Sequence, residues 1–175
     1  MAATELNSIY SIFGKVLRFT LRRISFRVAK TIHGVVWGLG VLTSILGKRM
    51  SWNFPNGWVF DPAIVEPDTV EYTVKKGPHV GRHAIQHFWY QQVAPGVETT
   101  VWYEESGAVV HLTWYLERQT IHRWAALPAW LADDMTVYAG DNQDAAFIDK
   151  IRKLIRTRSD WPRHIIDDQG YFEIL

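Results

Sequence analysis

The spacing of apolar positions divides the chain in two. In residues 7–30, NSIYSIFGKVLRFTLRRISFRVAK, the apolar side chains Phe13, Leu17, Leu21, Ile24 and Val28 recur at helical spacing between basic residues. That pattern predicts a basic amphipathic helix. Residues 31–47, TIHGVVWGLGVLTSILG, carry no charge, and Gly34, Gly38, Gly40 and Gly47 interrupt them. Glycines weaken an isolated helix but let helices approach closely. Seventeen uncharged residues fall short of the roughly 20 that usually span a bilayer. Residues 8–47 are thus expected to form two helices or one kinked helix. Three uses are open: packing on a neighbour, lying on a membrane surface, or serving as a transit peptide.

From residue 51 the period shortens to two. TVEYTV places Val70, Tyr72 and Val74 on one face; VETTVWYE sets Trp102 and Glu104 opposite Val97, Thr99, Val101 and Tyr103. AVVHLTWYL alternates in the same way, with Val110, Leu112, Trp114 and Leu116 together. Turn residues separate these runs at 55–57 (PNG), 75–78 (KKGP), 94–96 (APG) and 105–107 (ESG). RHAIQHFWYQQV and HRWAAL supply further strands, and GYFEIL a last short one. The helical period returns in DNQDAAFIDKIRKLIRTRSD. Asp141 or Asn142 is its expected cap, and Phe147, Ile148, Ile151, Leu154 and Ile155 are its apolar stripe. The second part therefore predicts a mainly β fold, an antiparallel sheet or barrel with one C-terminal helix.

Charge sharpens the division. Residues 1–50 hold eight basic residues against Glu5, a balance of +7, whereas the other 125 hold eleven basic and seventeen acidic, a balance of −6. The expected organisation is a basic helical extension, 1–50, followed by a separate acidic domain, 51–175. An acidic main domain is a poor match for a phosphate backbone, so nucleic acid is not an expected partner. The absence of cysteine removes disulfides, thiolate metal sites and thiol nucleophiles. Nine tryptophans among 175 residues fit either a core of large side chains or an aromatic cavity for a flat ligand.

Two charged residues stand out within the strands. Alternation puts Arg82 on the face of Ala84 and Gln86, and Glu104 on that of Trp102 and Thr100. If both faces point inward, a cation and an acid sit among aromatic rings, where a carboxyl group can serve as general acid. An inward structural ion pair, or two surface charges, would give the same pattern. His83 and His87, four apart on a strand, would be roughly 13 Å apart, too far to share a metal ion. Neither a phosphate loop nor a nucleophile elbow occurs.

From Trp52 to Leu175 the chain resembles the phenolic acid decarboxylases of microbes. The marks are NGW at 56–58, Gly81-Arg82, the pattern Trp102, Glu104 and Gly107, the run IHRWAALPAW with His122, Pro128 and Trp130, and WPRHII followed by YFEIL. The resemblance implies a lipocalin-like antiparallel β-barrel, commonly a homodimer in the cytoplasm, that uses no cofactor. It implies loss of carbon dioxide from p-hydroxycinnamic acids, with Glu104 as proton donor to the alkene and Arg82 as anchor for the substrate's anionic end. Where that family carries tyrosines around the Asn-Gly-Trp, this chain has Trp52, Phe54 and Phe60. Those rings, with Trp102 and Trp114, are the expected substrate-binding walls. Lost hydroxyls leave a buried anion short of donors, at about 1–3 kcal/mol each. The expected substrate is accordingly hydrophobic or aromatic. Alternatives on the same barrel are an isomerase or cyclase, including a pericyclase, and a non-catalytic carrier of hydrophobic ligands. Membrane contact is expected, if at all, through residues 8–47.

Overall fold

The structure, a computed structural model, describes residues 42–175. The helices expected over residues 8–41 lie outside the described residues. Residues 42–47, read above as the end of an apolar helix, form an irregular segment instead. Gly47 there has φ of 71°, and the Lys48 amide turns back onto the Ile45 carbonyl. Ile45 is fully buried in the core, and its amide donates to Glu98 Oε2 at 3.0 Å. Ile45 and Met50 are thereby part of the core of the compact unit Leu42–Leu175.

Nine antiparallel strands make one nearly closed barrel. The first four, β1 (Met50–Asn53), β2 (Val59–Glu66), β3 (Thr69–Lys76) and β4 (His83–His87), form one meander. A second meander follows in β5 (Trp89–Ala94), β6 (Val97–Tyr103), β7 (Val109–Tyr115) and β8 (Thr120–Leu127). The last strand, β9 (His164–Ile174), lies between β8 and β1 and joins the two. It pairs with β8 from His164 to Tyr171 and with β1 from Tyr171 to Ile174. The GYFEIL run is thus the end of an eleven-residue strand that already starts within WPRHII. The edge strands β4 and β5 are separated by the buried Phe88 alone and share no ladder.

The period-two pattern has the cause assigned to it. Val70, Tyr72 and Val74 of β3, Thr100 and Trp102 of β6, and Leu112 and Trp114 of β7 all point into the barrel, with Met50, Trp52 and Phe172. Three short helical elements cover one mouth. They are α1 (Ala129–Asp133), a 3-10 turn (Met135–Tyr138) and α2 (Ala145–Thr157). The Asp144 side chain caps α2 by accepting from the Ala146 amide, three residues past the expected Asp141. Asp141 instead accepts from the Gln143 amide in the preceding turn. Phe147 and Ile151 of α2 are buried with Trp130, Leu131 and Tyr138, whereas Ile155 is exposed.

Candidate active site

Glu104 follows directly on β6, where the chain turns toward β7. Its amide donates to the Ala108 carbonyl, and the Gly107 amide returns to the Glu104 carbonyl at 2.9 Å. Gly107 has φ of 83°, a conformation an L side chain resists, which explains the glycine three residues after the acid. This turn aims the carboxylate inward. Tyr72 Oη donates to its Oε1 at 2.6 Å and Trp102 Nε1 to the same oxygen at 3.2 Å. Oε2 accepts no hydrogen bond among the described residues. Burial, reinforced by the charge of Glu104, pushes the Tyr72 phenol well above its usual pKa, so Tyr72 stays a donor.

Glu104 borders an apolar cavity of about 60 Å³. Trp52, Phe54, Trp58, Phe60 and Trp102 form its aromatic walls, and Leu131, Met135 and Tyr138 close it from the helical side. The rings interlock: Trp52 and Trp58 each lie against Phe60, with centroids 6.1 and 5.7 Å away, and Phe54 meets Phe60 edge-on at 5.9 Å. Of the seven site residues expected from the sequence, Glu104, Trp52, Phe54, Phe60 and Trp102 line this space. Trp114 does not. It is completely buried behind Trp52, 5.1 Å away, and donates to Thr100 Oγ1 at 3.1 Å.

Arg82 points inward, as its alternation with Ala84 and Gln86 required, yet it does not line the cavity. Its Nη2 donates to Glu105 Oε2 at 2.6 Å and to Tyr138 Oη at 3.0 Å, and its guanidinium lies 4.2 Å from the Tyr138 ring centre. Burial by itself would disfavour the cation, but the surrounding phenols and carboxylates hold it protonated. Glu105 also accepts from Gln86, Asn142 and Tyr138. Burial tends to raise the Glu105 pKa, but Asn142, Arg82 and Tyr138 together keep it below the usual carboxylate value. The inward ion pair is thus Arg82–Glu105, between neighbours that a tight turn brings to one end of the barrel.

Among the cavity residues that escaped the sequence reading, Trp58 and Tyr72 included, two carry basic groups. Arg123 of β8 lines the cavity with its guanidinium 3.9 Å from the Phe54 ring centre and 5.0 Å from Trp58. Asp168 of β9 holds it in a two-pronged pair at 2.9 and 2.6 Å. His79, from the β3–β4 connection, meets Trp58 edge-on at 4.7 Å. Burial, helped by the nearby Arg82 and Arg123 charges, lowers its pKa to about 4, so the ring is neutral at physiological pH. The inward period of β8 could have flagged Arg123, whereas a lone histidine among turn residues carries no signal.

Comparison with known proteins bears on this arrangement. The chain is 29% identical over 94 residues to a Vibrio cholerae serotype O1 protein named "Probable phenolic acid decarboxylase", covering 53% of this chain and 54% of the relative. It therefore spans about half the length of that relative. It is 22% identical over 131 residues to Phenolic acid decarboxylase PadC of Bacillus subtilis, covering 73% of this chain and 78% of that one. A crystal structure from Burkholderia vietnamiensis, described as a candidate beta-lactamase, superposes with a TM-score of 0.50 over 75% of this chain and 95% of its own. At 14% identity that likeness shows the barrel fold alone. The family profile described as Phenolic acid decarboxylase (PAD) matches residues 42–174, from the irregular segment through β9. By that match over three quarters of its length, this chain belongs to the phenolic acid decarboxylase family.

Proposed function

We propose that this chain is an acid–base enzyme of the lyase type in which Glu104 delivers a proton to a conjugated carbon of a hydrophobic acid, which then loses carbon dioxide. The observation that carries this is the carboxyl group itself. It borders an aromatic cavity with one oxygen fixed by Tyr72 and Trp102 and the other free. The proton on Oε2 adds to the alkene carbon beside the carboxylate, and the ring's electrons stabilise the cation that forms. The bond to the carboxylate then breaks, its electron pair restores the alkene, and Glu104 regains a proton from water. Proton transfer by a positioned side chain contributes about 10²–10⁴ in rate. A mostly apolar wall keeps water from competing for that proton.

A second reading, isomerisation or cyclisation of an uncharged substrate, has its own support. Both arginines in the barrel are already matched by carboxylates, Arg82 by Glu105 and Arg123 by Asp168, so neither stands as a free anchor for an anion. Here Glu104 would polarise a carbonyl while the rings hold a folded conformer.

The test uses the full chain and its Glu104→Gln variant. Each is incubated with p-coumaric, ferulic and caffeic acids and with unsubstituted cinnamic acid, and vinyl products are followed by chromatography. Turnover that falls at least a hundredfold in the variant supports decarboxylation. A folded wild-type protein that turns over none of them overturns it in favour of the second reading. Turnover unchanged in the variant overturns Glu104 as the acid.

A further inference from the structure

The lost hydroxyls leave a question that the cavity itself addresses. Three buried side-chain polar atoms have no hydrogen-bond partner among the described residues: Trp52 Nε1, His79 Nδ1 and Arg82 Nε. Arg82 stands outside the cavity, but Trp52 and His79 both line it. Trp52 is 3% exposed and His79 9% exposed. Buried donors and acceptors are rarely left unmatched in folded proteins, because an unmade hydrogen bond forfeits solvation without return. Two residues that line one cavity thus each carry a buried polar atom without a protein partner, which an occupant of the cavity can supply.

The kind of occupant follows from the atoms. Trp52 Nε1 is a donor and needs an acceptor oxygen. His79 Nδ1 offers a donor or an acceptor according to tautomer, so it suits a carbonyl or a hydroxyl. Charge is the deciding term. Among the described residues, Glu104 is the one acidic side chain that lines the cavity, and the one lining arginine, Arg123, is neutralised by Asp168. The lining therefore offers an anion no unmatched positive charge, and a neutral oxygen meets no such penalty.

We propose that Trp52 and His79 form the recognition site for an uncharged oxygen, a carbonyl or hydroxyl, on an otherwise apolar conjugated substrate. The site takes over the polar task at the position where tyrosines stand in the decarboxylases that this chain resembles. It selects for a neutral ring substituent or enone and against a phenolate. The inference deepens the second reading given above, an uncharged substrate, and rests on the same cavity holding it.

Direct binding tests it without turnover. Calorimetry on the full chain compares 4-phenyl-3-buten-2-one, a neutral enone, with 1-phenyl-1-butene, which has the same skeleton without the oxygen, and with cinnamate. The enone is expected to bind roughly tenfold or more tighter than either, as a recovered buried hydrogen bond implies. Trp52→Phe and His79→Leu should each remove most of that preference, read as the ratio of enone to hydrocarbon affinity within each variant. His79→Asn, which keeps a polar atom, should restore part of it and guards against a folding defect. Cinnamate binding as tightly as the enone, or a preference that survives both apolar substitutions, overturns the proposal. The same titrations on Glu104→Gln separate it from the proton-transfer reading. Retained preference there, with no turnover of any acid by the wild type, removes that reaction and leaves the recognition site standing.

Discussion

The Tyr72 hydroxyl is the smallest part on which the proposed chemistry depends. It makes the shorter of the two hydrogen bonds to Glu104 Oε1, and a bond to a charged group is worth about 1.5–3 kcal/mol. Tyr72→Phe is expected to lower kcat about tenfold to a hundredfold with little change in KM, since the ring still fills the wall; steady-state kinetics on any accepted substrate checks this. His79 gives a pH prediction. Its folded pKa of about 4 lies below the ordinary 6.5, so the unfolded chain binds the extra proton first. Its contribution to stability is present above 6.5 and is lost as pH falls toward 4. The thermal midpoint of the native chain should drop over that window more steeply than that of His79→Leu. Glu104 was legible because a turn that aims an acid inward needs Gly107 three residues on. Arg82 was legible as an inward cation, but its partner was not. The 104–108 turn breaks the alternation, and Glu105 reaches the guanidinium that period two would have paired with Glu104. Arg123 is held by Asp168, forty-five residues away, and no local pattern announces such a pair.

At the level of elements, the seam between β4 and β5 is the weak line of the barrel, and side chains close it. Arg82 just ahead of β4 and Gln86 within it reach Glu105 in the β6–β7 turn, while Asn142 bonds both Glu105 and the backbone of Ile85. Removing one member of a buried ion pair strands the other. Glu105→Ala should therefore cost about 3 kcal/mol, measured by denaturant unfolding. On the outside of the same seam, His83 lies between Glu71 and Asp141 at 3.1 and 3.0 Å. Partial burial tends to lower its pKa, but the two carboxylates raise it above 6.5. Its stabilising share is complete below 6.5 and is lost as pH rises through the raised value. The thermal midpoint of His83→Gln should be less sensitive to pH on the alkaline side than that of the native chain. On the opposite side, a β-carbon at Gly170 would lie 2.3 Å from the Asn53 carbonyl and 2.8 Å from the Phe54 ring. Most strands were legible because one face of each is buried. The start of β9 was not, since HIIDDQ alternates weakly and is ordered by pairing with β8. The α2 cap was missed because four acidic or amide residues in a row, Asp141 to Asp144, precede the helix and each could cap it.

Over the whole molecule, the outer surface of the second meander shows aromatic side chains where a lone barrel would show polar ones. Trp89 and Tyr103 are 65% and 62% exposed, stacked edge-on at 5.8 Å, with Ile165 exposed and Trp124 partly so on neighbouring strands. We propose that this face seats a second copy of the chain. Light scattering should then give twice the 20.3 kDa chain mass, and Trp89→Lys with Tyr103→Lys should return it to one. No helix among the described residues is long and apolar enough to cross a membrane. The position of β9 carries a further consequence, for biosynthesis. Until its eleven residues leave the ribosome, the first meander and the second have no strand in common, and the cavity is split between two open sheets. Each half would expose its greasy inner face and unpaired edges while β9 is still to come, a state prone to aggregation. Closure must wait for β9, and a chain cut short before residue 164 can never reach it.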